Sequence, residues 1–181
     1  MDQSTRDILG RHLQGLRLES GLSLSQLAAD AGIAKSNLSR LEQGRGNPTL
    51  DTIWRLAIRL NVPFGTLIGP ISVPIGSDGV QVRLLDQGKD DPHVDAYWMS
   101  CAPNTLREAE AHLPGSSEVI TIVSGQLEVG TIGDTKMLSA GETHTFRADE
   151  PHLYRTGDTW ATLLLAIIYE KRGKSCPAPK Q

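Results

Sequence analysis

Two stretches of this chain carry residue types that can do chemistry together. EAHLPGSSEVITIVSGQLEVG, residues 110–130, sets His112 ahead of a Pro114–Gly115 turn, then Glu118, then an apolar run ending at Gly125. AGETHTFRADEPHLY, residues 140–154, closes on Pro151–His152 and Tyr154. Imidazole and carboxylate groups brought inward from neighbouring strands of a small barrel converge on one metal ion, or on the polar end of one small ligand. A third stretch offers different chemistry. Lys35, Ser36, Asn37, Ser39 and Arg40 surround the inward Leu38 and Leu41 and form the outward side of a short helix. Such a set suits the major groove, where Ser and Asn meet base edges and Arg forks onto guanine.

The elements that must position these residues change character near residue 70. Before it, Ile53, Leu56, Ala57 and Leu60 recur at helical spacing. Ser23 followed by Gln26 is a capping-box start for a helix that buries Leu24, Leu27, Ala28 and Ala31 and stops at Gly32. Gly44 ends the next helix, and Thr49 caps another with Asp51 in its first turn, where the helix dipole favours negative charge. The Gly- and Pro-rich segment GPISVPIGSDG, residues 69–79, breaks the pattern and reads as a linker. Beyond it, short apolar runs (80–85, 94–99, 119–123, 127–129 and 161–169) alternate with turn residues, as in a barrel or sandwich. The expected organisation is a helical domain over 1–68, the linker, a β domain over 80–172 and a flexible tail over 173–181.

Composition sets the outer limits. A chain of 181 residues suffices for two small domains, each with its own core. No apolar run approaches the roughly 18 residues of a membrane span, and the amino terminus lacks the zones of a signal peptide, so the expected location is cytoplasmic. Cys101 and Cys176 have no metal-like spacing and read as reduced thiols. The net charge of -3 divides unevenly: residues 1–70 carry eight Lys/Arg against six Asp/Glu, and residues 71–181 carry ten against fifteen. A surplus of two cations is weak support for nucleic acid by itself.

The motifs are more specific. Residues 11–69 resemble the Cro/phage-repressor, or xenobiotic-response-element, helix-turn-helix family, with L-A-x-x-A-G-I at Leu27–Ile33, a serine-rich helix, L-E-x-G at Leu41–Gly44 and N-P-T-L at Asn47–Leu50. The resemblance implies a five-helix, lambda-repressor-like DNA-binding domain. In it Lys35, Ser36 and Arg40 face bases, Asn37 and Gln43 approach bases or phosphates, and Arg17 pairs with Glu42. Leu24 stands where the family often has Gln or Thr, so a phosphate contact from that position is not implied.

Residues 80–170 resemble the cupin β-barrel, or double-stranded β-helix, with a first motif at 110–125 and a second at 141–156. The usual first motif carries His-x-His. Here Ala111 and Leu113 occupy those positions, and His112 to Glu118 matches instead the His-x-x-Gly-x-x-Glu variant of cupins fused to this type of helix-turn-helix. The implied constellation is His112, Glu118 and His152, with Tyr154 and Arg107 as wall residues and His144 at the surface or rim.

Three readings of that constellation stand open: one divalent ion, Zn or Fe(II); a metal-free pocket for a small polar ligand; or satisfied polar groups in a barrel that only dimerises. The function implied by the whole is an α + β two-domain, non-enzymatic regulator. It binds double-stranded operator DNA as a homodimer and responds to a small-molecule effector, with no membrane partner. The alternative is a cupin metalloenzyme, an isomerase or dioxygenase, with an accessory DNA-binding domain.

Overall fold

The computed structural model describes residues 1–71 and 73–170; Cys176 and the tail expected over 173–181 lie outside the described residues. Five helices come first: α1 (Gln3–Glu19), α2 (Leu24–Asp30), α3 (Lys35–Glu42), α4 (Leu50–Leu60) and α5 (Phe64–Ile68). Side-chain caps fix three of their starts. Asp2 accepts from the Thr5 N–H, Thr49 accepts from the Thr52 N–H, and Ser23 and Gln26 cap reciprocally. Leu9, Leu13, Leu27, Leu38, Ile53 and Leu56 form the core between the helices. Leu24 and Leu41, expected fully inside, lie only partly buried at its margin.

Two features seat α3 on α1. Arg17 forks onto Glu42, with Nε–Oε1 at 2.6 Å and Nη2–Oε2 at 2.8 Å, and its Nη1 donates to the Leu22 carbonyl. Both partners are buried, so neither charge can lose the other cheaply. Gly10 is the second feature. A Cβ there would stand 2.5 Å from the Leu41 carbonyl oxygen, so α1 accepts a poor helix former to let the end of α3 approach.

The β part has ten strands: β1 (Ile75–Ser77), β2 (Val80–Gln87), β3 (His93–Cys101), β4 (Leu106–Ala109), β5 (Ser116–Ser124), β6 (Gln126–Thr131), β7 (Asp134–Ser139), β8 (Thr143–Arg147), β9 (His152–Arg155) and β10 (Ala161–Tyr169). All pairings are antiparallel, in one sheet ordered β1-β2-β3-β10-β5-β8 and another ordered β4-β9-β6-β7. From β3 to β10 the chain passes repeatedly between the two sheets. That winding is the double-stranded β-helix of a cupin-type jelly roll. The sheet begins inside the expected linker, because Ile75 is buried and β1 pairs with β2, with Ile75 opposite Val82. Among the described residues, no helix is long and apolar enough to cross a membrane.

Replacing Gly10 by Ala should destabilise the chain by about 1–3 kcal/mol in urea unfolding, because the added methyl meets backbone that cannot move aside. Helix propensity alone predicts the opposite sign, so a stabilised variant would contradict the close α1–α3 approach.

Candidate functional site

On the helical side, α3 projects the chemistry expected of it. Lys35, Ser36, Asn37 and Arg40 are exposed along one short helix, Ser39 is half-buried, and Gln43 follows at its end. Their internal bonding is light: Gln43 Nε2 donates to Ser39 Oγ at 3.2 Å, and Arg40 reaches the Arg45 carbonyl at 3.5 Å. These side chains are therefore available to a partner.

On the barrel side, three elements bring His112, Glu118 and His152 together. Inward residues alternate along β5 as Ser116, Glu118, Ile120 and Ile122, which fixes the carboxylate inside. The first residue of β9, His152, is fully buried. His112 lies on the loop between β4 and β5, and its N–H donates to the Ala148 carbonyl at 2.8 Å. The Pro114–Gly115 turn that aims it inward needs the left-handed backbone of Gly115, at φ +84°. Asp149 holds that turn by accepting the Gly115 N–H, and Arg147 in turn grips Asp149 with two nitrogens.

The ligand atoms of the three residues lie within 4.8 Å of one another. His112 Nε2 donates to Glu118 Oε1 at 2.9 Å, and His152 Nε2 faces the same oxygen at 3.5 Å. Tyr154 donates its hydroxyl to the other oxygen, Oε2. One carboxylate oxygen is thus held by tyrosine while its twin is presented to both imidazoles. His152 donates from Nδ1 to the Glu150 carbonyl at 2.8 Å, yet its buried Nε2 has no hydrogen-bond partner. Backbone orientation of the far nitrogen is how proteins hold ligating imidazoles, and two imidazoles with one carboxylate suit a divalent ion. The residues present fit such an ion.

Electrostatics divides the roles. Burial lowers the His112 pKa below the usual imidazole value despite Glu118 beside it. Burial also opposes charge on His152, but the Glu118 carboxylate outweighs it and raises that ring above the usual value. For Glu118 itself, burial works upward and is overcome by His152 and His112, which hold it well below the carboxylate range. Glu118 is thus held ionised between two imidazoles whose proton affinities are pushed in opposite directions.

The helical domain roofs this centre. Trp54 of α4 stacks on the His112 ring at 3.9 Å between centroids and 6° between planes, and Phe64 of α5 stacks on the other face of Trp54 at 4.1 Å. Asp51 pairs with Arg107 at 2.7 Å; the Arg107 side chain is 9% exposed and that of Asp51 48%. Lower down, the Gly65 N–H donates to buried Asp95, and the Phe64 N–H to the Tyr169 hydroxyl. The chamber, lined among others by Trp54, Arg107, His112, Glu118, His152 and Tyr154, measures ≈ 20 Å³. One water needs about 10–15 Å³ by this measure, whereas organic ligands occupy pockets of about 300–1,000 Å³. The pocket expected for an organic effector is therefore too small for one in this arrangement, with room for a water or an ion.

All five expected barrel residues meet at the chamber, and His144 stays outside it, half-buried on β8 beside Phe146. The residues missed were Asp51, Trp54, Phe64 and Asp149. Trp54 left one signal: it is apolar but falls off the stripe made by Ile53, Leu56, Ala57 and Leu60.

Residues 13–67 match the helix-turn-helix family model. Over 170 residues the chain is 31% identical to the HTH-type transcriptional regulator SutR of Escherichia coli (strain K12), covering 91% of this chain and 96% of that relative. Over 147 residues it is 22% identical to the HTH-type transcriptional regulator PuuR of the same organism, covering 74% and 79%. The crystal structure of an HTH_3 family transcriptional regulator from Vibrio cholerae matches with a TM-score of 0.83 at 22% identity, over 94% of this chain and 100% of that one. The shared fold thus includes helices and barrel together.

Replacing Tyr154 by Phe leaves Glu118 Oε2 buried without its donor. The expected loss is about 1–3 kcal/mol in chemical denaturation of the full chain, and an unchanged midpoint would show that the hydroxyl does not support the carboxylate.

Proposed function

The chain belongs to the helix-turn-helix family of transcriptional regulators, and we propose that its barrel is the sensing half of a DNA-binding switch. The observation that carries this reading is the stack of Trp54 on His112, which joins the DNA-binding unit to the chamber without an intervening flexible segment. Whatever alters the chamber alters the support of α4, and through the shared helical core the placement of α3.

In this reading Lys35, Ser36 and Arg40 meet base edges, while Asn37, Ser39 and Gln43 approach bases or phosphates. A recognition helix of eight residues, on a domain with a surplus of two cations, makes few contacts alone. Two chains on a roughly palindromic operator multiply them, so the working unit is a homodimer. The protein acts in the cytoplasm, where its operator lies.

His112, Glu118 and His152 hold one divalent ion, Zn or Fe(II). Such an ion would supply Lewis acidity toward a further ligand. Tyr154 keeps Glu118 oriented toward the imidazoles, the Glu150 carbonyl fixes the tautomer of His152, and Trp54 excludes water. No catalytic role is assigned.

Arg40→Ala should weaken binding to a duplex from upstream of the protein's own gene by about 1–3 kcal/mol and relax preference at one base pair. Equal loss on specific and random duplex, read by gel shift, would remove the base-reading role. Titration with Co(II) should give one visible-absorbing site per chain, lost in His152→Ala while the far-ultraviolet helical signal persists. A spectrum unaffected by that substitution would place the ion elsewhere.

A further inference from the structure

Arg107 is an odd member of a chamber built around two imidazoles. Its side chain is 91% shielded from solvent, it lines the cavity beside His152 and Tyr154, and its positive field falls on both. Among the described residues, the carboxylate it pairs with is Asp51, which reaches in from the first turn of α4 with Nη2–Oδ1 at 2.7 Å. A guanidinium is a fork suited to two parallel bonds with one carboxylate, and Asp51, 48% exposed, meets this one from the helical domain. In the same chamber, the buried Nε2 of His152 faces Glu118 Oε1 at 3.5 Å without a hydrogen bond. The chamber therefore contains a shielded guanidinium whose carboxylate partner comes from the helical domain, together with an imidazole nitrogen that has no hydrogen bond.

We propose that Arg107 is the recognition residue for the carboxylate of a small organic acid, and that Asp51 of the helical domain occupies its place when the chamber is closed. The incoming carboxylate takes both nitrogens of the fork from within the barrel, where pairing is stronger than at the half-exposed position of Asp51. Because the closed chamber is ≈ 20 Å³, the rest of the acid enters as Trp54 leaves His112. Ligand and helical domain thus compete for the same two groups, Arg107 and His112. That competition supplies the difference in affinity between docked and undocked arrangements that switching requires. The proposal rests on the sensing reading above and narrows its effector from any small polar molecule to an organic anion.

Sodium formate, the smallest carboxylate, and its uncharged counterpart formamide are the probes. In a full-length variant carrying W98F and W160F, both at exposed positions, fluorescence reports on Trp54. At ionic strength held constant near 0.1 M, formate should change Trp54 emission saturably and formamide should not. Asp51→Asn removes the internal competitor from a half-exposed position and should lower the half-saturating formate concentration about three- to fivefold. Arg107→Gln should abolish the response.

Absence of a saturable formate response in Asp51→Asn would overturn the proposal even if Arg107→Gln fails to fold, as would half-saturation unchanged by Asp51→Asn. A formamide response equal to that of formate and lost in His152→Ala would remove the anion assignment while leaving a sensing chamber in place. The Co(II) and operator titrations measure that broader reading separately.

Discussion

A fully buried, ionised carboxylate is the constraint around which the second half of this protein is arranged. Glu118 is completely inaccessible to solvent, and an isolated charge in such a place is untenable without partners for both oxygens. The surrounding architecture supplies them. Strand alternation in β5 aims Glu118 inward, β9 delivers His152 and Tyr154 on one inward face, and a glycine turn pinned by Asp149 swings His112 into reach. The roof follows from the same need, since Trp54 shields the centre and stacks on the His112 ring.

The helical domain obeys a parallel rule on a smaller scale. Arg17 and Glu42 satisfy each other inside it, and Gly10 lets α1 and α3 come close enough for them to do so. The two halves then meet through further polar groups satisfied across the boundary, chiefly the Gly65 N–H on Asp95 and the Phe64 N–H on the Tyr169 hydroxyl. Gly65 is also required sterically, because a Cβ there would stand 2.5 Å from the Asp95 carboxylate. Such a boundary is a fitted interface rather than two domains loosely tethered.

What was legible in the sequence was whatever is encoded locally. Capping at Ser23 and Thr49, the turn glycines at 32 and 44, and the motif spacing from Leu27 to Leu50 specify the helices. His112, Glu118 and His152 could be picked out because strand parity and turn chemistry are short-range properties. Strands β1, β4, β7, β8 and β9 were harder, since all are short and several alternate polar with polar, as Thr143 and Thr145 do on β8. The docking of α4 on the barrel was not legible at all. Asp51 and Arg107 are far apart in sequence, Asp51 has a sufficient local explanation as a first-turn acid, and Trp54 betrays itself only by falling off its helix's apolar stripe.

The roof over the chamber also sets a clock. Anything larger than the ≈ 20 Å³ beneath Trp54 enters no faster than α4 lifts from the barrel. Domain undocking belongs to the microsecond-to-second range of collective motions, far slower than the diffusion of a small solute. The lifetime of a given state of the chamber is thus governed by the barrier to breaking the Trp54, Asp51 and Gly65 contacts together, and brief fluctuations in solute concentration are averaged over that interval. A chamber roofed by the neighbouring helical domain acquires a short memory.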